Sequence, residues 1–178
     1  MPNILPTQAV PDFTVPLING GEFTLSEQLG ENFTLLLFYR GLHCPICKMQ
    51  LRELQRKLGD FAERGIKVVA ISMDSQERAQ KSSDEWDIKE ITLGYGLSEE
   101  QARSFNLYVS AGRPDSAEPA IFSEPALLLV KPDQTLYFAS IQSMPFTRPP
   151  LDQLLQGVDY ALANDYPARG ELAERALA

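Results

Sequence analysis

The chain of 178 residues has few of the residues that build metal centres or disulfide frameworks: it has two cysteines and one histidine. Cys44 and Cys47 stand in one tetrapeptide, so they cannot join distant parts of a fold. A zinc site needs four ligands, and these two cysteines with His43 would still need a carboxylate. We therefore expect no structural disulfide and no metal, and no sequence feature indicates another cofactor.

The chain also lacks an excess of positive charge. Sixteen lysines and arginines against 24 aspartates and glutamates give a net charge of −8. Such a charge repels phosphate backbones and anionic lipids, so neither nucleic acid nor a membrane is an expected partner. No apolar run approaches the roughly 20 residues that cross a bilayer, and residues 1–10 lack the basic and apolar parts of a targeting segment. These absences predict a cytoplasmic location.

Length and composition favour one domain. The length lies within the roughly 100 to 200 residues of a single domain, and a hydrophobic content of 44% is enough for one core. No repeat and no shift in composition divides the chain. We expect one domain over residues 1–178, with an N-terminal extension over residues 1–31 and a tail or short helix over residues 165–178.

Apolar patterns in the first half predict an α/β fold with a mixed sheet. Two alternating runs around Asn19-Gly20-Gly21 predict a hairpin. Continuous apolar runs at 33–39 and 66–73 predict buried strands. Between them, an amphipathic pattern predicts one helix from Ile46 to about Gly65. Strand, helix and strand then form a β-α-β unit with parallel strands and a right-handed crossover.

The second half alternates less regularly. Residues 108–124 show no period and predict a long loop. Residues 142–149 either border the site or only connect strand to helix, and the connector is the favoured interpretation. Trp86 is expected to pack in the core. The remaining elements are predicted helices at 75–87, 98–105 and 149–162, and predicted strands at 91–95, 126–130 and 136–140.

Cys44 and Cys47 follow the first buried strand, where the predicted helix begins. The unpaired N–H groups and the positive dipole end of a helix favour a thiolate there, so the first cysteine should have a lowered pKa. The spacing brings both sulfurs onto one turn, where a reversible disulfide can form. Pro45 suits the first turn because its missing N–H needs no partner there.

Basic residues flank the cysteines: Arg40, His43 and Lys48. Positive charge favours ionisation of a thiol, so this patch supports a reactive pair. We expect His43 to act mainly through its charge. Half of a zinc site and two inert buried thiols are the alternative interpretations of the motif.

Residues 36–49 read Leu-Leu-Phe-Tyr-Arg-Gly-Leu-His-Cys-Pro-Ile-Cys-Lys-Met. They resemble the active-site segment of the thioredoxin superfamily, and more closely its peroxiredoxin branch, the alkyl hydroperoxide reductase and thiol-specific antioxidant group. The hairpin from Asp12 to Leu25 is similar to the extension that precedes the core in peroxiredoxins. The resemblance covers about residues 7–163. It implies a thioredoxin-like fold with a central mixed sheet flanked by helices, and it makes Tyr39 a further candidate site residue.

The active-site pattern of peroxiredoxins is Pro, three residues, Thr or Ser, two residues, and Cys. With the peroxidatic cysteine on Cys47, Cys44 replaces the Thr or Ser and Arg40 replaces the Pro. Peroxiredoxins also place an arginine on a later strand, where this chain has Pro125; Arg40 or Arg148 would then take its role. Pro125 instead resembles the cis-proline that thioredoxins place opposite their disulfide, and an ordinary proline at the start of a strand is the alternative.

Three functions follow from the resemblance. The active-site residues favour a thiol-disulfide oxidoreductase, in which Cys44 attacks a protein or small-molecule disulfide and Cys47 resolves the mixed disulfide. The alternative is a two-cysteine peroxidase, in which a hydroperoxide oxidises one cysteine to a sulfenic acid and the other condenses with it. Both imply a thiol reductant such as thioredoxin, glutaredoxin or glutathione, and the family suggests a homodimer. A non-enzymatic redox sensor or binding module is the third.

Overall fold

The computed structural model describes residues 4–173. A 3-10 turn at Leu25–Glu27 follows the second strand. The strands and helices are, in chain order, β1 (Thr14–Pro16), β2 (Glu22–Thr24), β3 (Phe33–Phe38), α1 (Pro45–Arg56), α2 (Leu58–Glu63), β4 (Ile66–Ile71), α3 (Gln76–Glu85), β5 (Leu93–Gly94), α4 (Glu99–Ser104), β6 (Val109–Ala111), β7 (Ile121–Ser123), β8 (Ala126–Val130), β9 (Leu136–Ile141) and α5 (Leu151–Asn164).

Five strands form a central mixed sheet in the order β5-β4-β3-β8-β9. The middle strand, β3, pairs in parallel with β4 and antiparallel with β8. All six residues of β3 are buried because layers cover both faces of the sheet, which explains the continuous apolar run in its sequence. The predicted α/β architecture with a mixed sheet is confirmed.

The two faces of the sheet bury separate apolar clusters. Leu35 and Leu37 point into the cluster that contains α1, α2 and α5 residues, and both cysteines belong to it. Leu36 and Phe38 point into the other cluster, which the N-terminal hairpin and α4 cover. The alternation follows from the two-residue period of a strand. The cysteines therefore lie on the α1 side of the sheet.

The N-terminal hairpin forms as its turn residues predict. Strands β1 and β2 pair antiparallel, with Val15 opposite Phe23, and both side chains are buried. Gly20 and Gly21 have φ angles of 89° and 75°, a conformation that glycine adopts without a steric cost. The hairpin thus contributes Val15 and Phe23 to the second cluster.

The helix predicted from Ile46 to Gly65 is in fact two helices. Lys57, with φ −103° and ψ 5°, separates α1 from α2. Leu54 and Phe61 on the two sides of the break are both fully buried in the same cluster. The apolar pattern continues across the break for that reason, so the sequence gives no signal of it.

The prediction of a long loop at 108–124 is wrong, because this segment contains the antiparallel hairpin of β6 and β7. Ser110 lies opposite Phe122 in the register. Each strand has only three residues, which is too short for a visible period. Gly112 is required at the end of β6, since a Cβ there would meet the carbonyl oxygen of Pro119 at 2.2 Å.

The cis-proline expected at Pro125 is also wrong, because residues 4–173 contain no cis peptide bond. Pro125 instead precedes β8 in the trans form and accepts a backbone hydrogen bond from Gln142 at 3.0 Å. Asp165 ends α5 in the left-handed conformation, residues 165–173 form no helix or strand, and the rest of the predicted tail lies outside the described residues. Across the described part of the chain, every helix is too short or too polar to cross a bilayer.

Candidate active site

The two cysteines lie at the carboxyl end of β3, where the chain turns into α1. Cys44 is the N-cap of α1, and its sulfur accepts a hydrogen bond from the backbone N–H of Cys47 at 3.2 Å. Pro45 is the first residue of the helix. Both cysteines are reduced, with exposures of 1% and 0%. The predicted position of the pair at a strand-to-helix junction is confirmed.

The two thiols differ in acidity. The pKa of Cys44 is lowered to about 6, mainly by a hydrogen bond from the Cys47 thiol and also by the Cys47 backbone N–H, Arg40 and Arg148, while burial opposes the shift. Burial and the neighbouring Cys44 raise the pKa of Cys47 well above its ordinary value. At neutral pH the site therefore holds a Cys44 thiolate beside a Cys47 thiol.

Arg148 reaches the cysteines from the segment between β9 and α5. Its Nη2 lies 3.3 Å from Sγ of Cys47 and 3.9 Å from Sγ of Cys44. Its Nε donates to Oε1 of Gln50 at 3.2 Å, and its Nη1 donates to the carbonyl oxygen of Pro145. Residues 142–149 thus border the site, so their interpretation as a mere connector is wrong.

Arg40 approaches the same cysteines from the end of β3. Its backbone N–H donates to Sγ of Cys47 at 3.5 Å, and its side chain donates from Nε to Oε2 of Glu124 at 3.0 Å. The guanidinium lies over the ring of Phe122, 4.8 Å from the centroid. Oε1 of Glu124 accepts a hydrogen bond from Ser110 Oγ at 2.8 Å. The β6–β7 hairpin and the residue that follows it therefore hold Arg40 beside the site.

Asp74 fixes the loop between Arg40 and Cys44. Its side chain is fully buried, and Oδ2 accepts a hydrogen bond from the backbone N–H of Leu42 at 2.8 Å. Arg78 neutralises this carboxylate through an Nε to Oδ1 contact of 2.9 Å. Gly41 has φ 129°, and a Cβ there would lie 2.7 Å from Oδ1 of Asp74. Only glycine fits this close approach.

His43 is close to the cysteines but supplies little charge. Burial lowers its pKa, with a further contribution from Arg40, so the imidazole is neutral at pH 7. Its ring packs edge-on against Phe122 at a centroid distance of 4.6 Å. Both ring nitrogens are buried and lack a hydrogen-bond partner among residues 4–173. The positive field at the cysteines thus comes from Arg40 and Arg148 rather than from His43.

The other predicted site residues lie farther from the sulfurs. Lys48 bonds through its backbone to the carbonyl of Cys44, while its ammonium forms no ion pair within the described residues. Tyr39 is fully buried, and this burial raises its pKa. The ring centroids of Tyr39 and Trp86 lie 6.2 Å apart, and Trp86 is buried. Trp86 is therefore confirmed as a packing residue. Tyr39 and Trp86 belong to the apolar cluster that also contains both cysteines.

A cavity of about 540 Å³ is lined in part by His43 and Pro45, the residues on either side of Cys44. Its walls are the loop before α1, the tip of the β6–β7 hairpin and the segment between β9 and α5. Pro45 and Phe146 form an apolar side, while Arg40 and Glu118 form a polar side. A small substrate can approach the cysteine loop through this opening.

The sequence profile of the AhpC/TSA family matches residues 6–139. This chain belongs to the AhpC/TSA family. The alkyl hydroperoxide reductase C of Helicobacter pylori is 30% identical over 79 residues, which is 42% of this chain and 40% of that protein. The chain therefore aligns with less than half the length of this curated relative.

Solved structures support the same assignment at the level of fold. Peroxidoxin BcpB from Mycobacterium tuberculosis superposes with a TM-score of 0.72 at 18% identity, covering 89% of this AhpC/TSA chain and 98% of that one. Mycobacterium bovis AhpC superposes with a TM-score of 0.73 at 14% identity, covering 97% and 100%. The predicted thioredoxin-like fold of the peroxiredoxin type is confirmed.

Three residues of this AhpC/TSA site escaped sequence analysis: Gln50, Asp74 and Glu124. Gln50 carried a signal, because it is a polar residue on the face of α1 that also holds Cys47, Leu51 and Leu54. Asp74 and Glu124 act on segments 32 and 84 residues away in sequence. No local pattern reveals contacts of that kind.

Proposed function

We propose that this member of the AhpC/TSA family is a two-cysteine thiol peroxidase in which Cys44 is the nucleophile and Cys47 is the resolving cysteine. The observation that carries the proposal is the N-cap position of Cys44 beside Cys47 and under the guanidinium of Arg148. A helix N-terminus and nearby arginines favour the thiolate that reacts with a peroxide.

The reaction takes three steps. The Cys44 thiolate attacks the terminal oxygen of the hydroperoxide, the O–O bond breaks, and the alkoxide leaves as an alcohol after taking a proton. The Cys47 sulfur then attacks the Cys44 sulfenic acid, which forms the disulfide and releases water. A thiol reductant restores both thiols by two successive exchanges.

Two features favour a hydroperoxide as the oxidant. Both cysteines are almost fully buried, and the residues on either side of Cys44 line a cavity of about 540 Å³ that admits a small molecule. Arg148, close to both sulfurs, and the nearby Arg40 place positive charge where the thiolate and the departing oxygen carry negative charge. Charge placed in advance stabilises the transition state of O–O cleavage.

Thiol-disulfide exchange is the second candidate, and the motif itself favours it. The same Cys44 thiolate can attack a disulfide sulfur, and Cys47 can resolve the mixed disulfide that results.

The proposal also includes a thiol reductant as the electron donor, a homodimer through an edge strand of the sheet, and a cytoplasmic location.

Two serine variants test the assignment with tert-butyl hydroperoxide as substrate and dithiothreitol as reductant. Cys44→Ser should lose the fast oxidation, because the nucleophile is absent. Cys47→Ser should keep the first step but stop at a Cys44 sulfenic acid, which dimedone labels and mass spectrometry locates. A sulfenic acid on Cys47 in the Cys44→Ser variant would reverse the two roles.

Oxidised glutathione distinguishes the two candidates. For a peroxidase, the Cys47→Ser variant should react much faster with the hydroperoxide than with oxidised glutathione. A trapped glutathione adduct on Cys44 together with slow peroxide oxidation would favour thiol-disulfide exchange instead.

A further inference from the structure

The exposed face of helix α1 is apolar at one end and basic at the other. The buried residues of the helix are Cys47, Gln50, Leu51 and Leu54. Opposite them, four exposed residues share one face because their spacings are four, three and four: Pro45, Met49, Arg52 and Arg56. We name these four residues the α1 outer face. It begins beside Cys44 and continues to the end of the helix.

The end of this face near the cysteines is apolar. Met49 is 67% exposed, and Pro45 lines the same cavity as Phe146, which is 72% exposed. Met144, in the same segment as Phe146, is 53% exposed. Pro45 and Phe146 line one cavity, and an exposed apolar patch of this kind marks a contact surface for another molecule.

The far end of the α1 outer face is basic. Arg52 and Arg56 lie on it, and Lys48 flanks it. Over residues 4–173 none of these three cations forms an ion pair, although the neighbouring Lys57 pairs with Asp152. A protein of net charge −8 thus keeps three cations without ion pairs on the helix that begins at its reactive cysteines. Charge of this kind attracts a partner of opposite sign.

We infer that the α1 outer face, together with Phe146, docks a protein electron donor whose redox-active dithiol is surrounded by acidic residues. The inference rests on the proposed function, because an oxidised Cys44–Cys47 pair needs a donor. Charge complementarity selects an acidic partner and speeds its encounter. The apolar part of the face, beside the cysteines, contacts the surface around the donor dithiol.

The electron transfer on this face is an ordinary dithiol exchange. A donor thiolate attacks the Cys44 sulfur, the bond between Cys44 and Cys47 breaks, and Cys47 leaves as a thiolate that takes up a proton. The second donor thiolate then attacks the mixed disulfide and releases the Cys44 thiolate. The donor departs as a disulfide, and two electrons have passed to the protein.

Two synthetic dithiol peptides test the inference. Both contain a Cys-x-x-Cys sequence; one is flanked by glutamates and the other by lysines. The protein is first oxidised chemically to the disulfide, and its reduction by each peptide and by dithiothreitol is followed. At low salt the acidic peptide should react about tenfold faster than the basic one, and the difference should shrink at high salt.

A charge reversal supplies the decisive variant. Arg52→Glu with Arg56→Glu should invert the preference, so that the basic peptide reacts faster, while reduction by dithiothreitol stays unchanged. The control is Arg103→Glu with Lys131→Glu, which changes the net charge equally. Arg103 lies on α4 across the sheet, and Lys131 follows β8 at the end away from the cysteines. This control should keep the preference of the wild type.

Equal rates with the two peptides, or an inverted preference in the control, would overturn the inference. Failure of the proposed function would look different. The protein would then form no disulfide with hydroperoxide, whereas the peptide assay starts from a disulfide made chemically and is unaffected.

Discussion

Cys44 owes its reactivity chiefly to Cys47, one turn along α1, and also to Arg40 and Arg148. Its pKa is lowered to about 6, chiefly by the hydrogen bond from the Cys47 thiol. Below this pKa the thiol is protonated and unreactive, and above it the thiolate fraction reaches a plateau. The thiolate absorbance at 240 nm and the oxidation rate should therefore rise together around pH 6. A midpoint near the ordinary value of about 8.5 would contradict this account.

The Arg148 side chain approaches both sulfurs, with Nη2 3.3 Å from Sγ of Cys47 and 3.9 Å from Sγ of Cys44. Arg148→Met should raise the pKa of Cys44 and slow its oxidation by about 10²-fold, the effect of removing one donor that stabilises developing charge. Arg148→Lys keeps the charge but loses the bond to Gln50, so it should retain part of the rate. Rapid-mixing kinetics with tert-butyl hydroperoxide measure both variants, and an unchanged rate in Arg148→Met would exclude this role.

Glu124 acts on the cysteines only through Arg40. Glu124→Ala removes the acceptor that orients the guanidinium, so the pKa of Cys44 should rise. Glu124→Gln keeps an oxygen acceptor at the same place and should leave the thiolate titration close to that of the wild type. The absorbance titration at 240 nm checks both. Equal shifts in the two variants would show that Glu124 does not position Arg40.

At the scale of elements, the β6–β7 hairpin forms one wall of the site. Phe122 is buried and contacts His43 and Arg40, whereas its neighbour Ile121 is 41% exposed. Phe122→Ala should lower the free energy of unfolding by about 3 to 5 kcal/mol. The matched Ile121→Ala should change it by about 0.5 kcal/mol or less. Urea denaturation measures both, and equal effects would contradict the packing of this hairpin against the site.

Sequence patterns predicted the elements that bury a regular face and missed those that do not. Strand β3 and the cysteines at its end follow from a continuous apolar run that ends at a helix start. The strands of the β6–β7 hairpin are too short to show a period. The break at Lys57 leaves the apolar pattern intact, because α1 and α2 bury residues in the same cluster. Local periodicity indicates which residues are buried, but it does not indicate where a helix breaks or where a very short strand lies.

At the scale of the whole molecule, the fold brings the segments that contain Asp74, Glu124 and Arg148 to the N-terminus of α1. Cys44 and Cys47 could be identified from their spacing, and Arg148 could be proposed only as one candidate cation. Its contact with the sulfurs depends on the path of the chain from β9 to α5, across about 100 residues of sequence. Long-range contacts of this kind require the tertiary structure, which no single-sequence pattern contains.

The central claim is that the folded site accelerates peroxide reduction beyond what a low pKa alone provides. The most direct measurement is the second-order rate constant for oxidation of the reduced protein by tert-butyl hydroperoxide, compared with a free thiol of similar pKa. We predict a protein rate at least about 10²-fold higher, because Arg40 and Arg148 stabilise the charge that develops on the oxygen. A rate equal to that of the free thiol would contradict the peroxidase assignment.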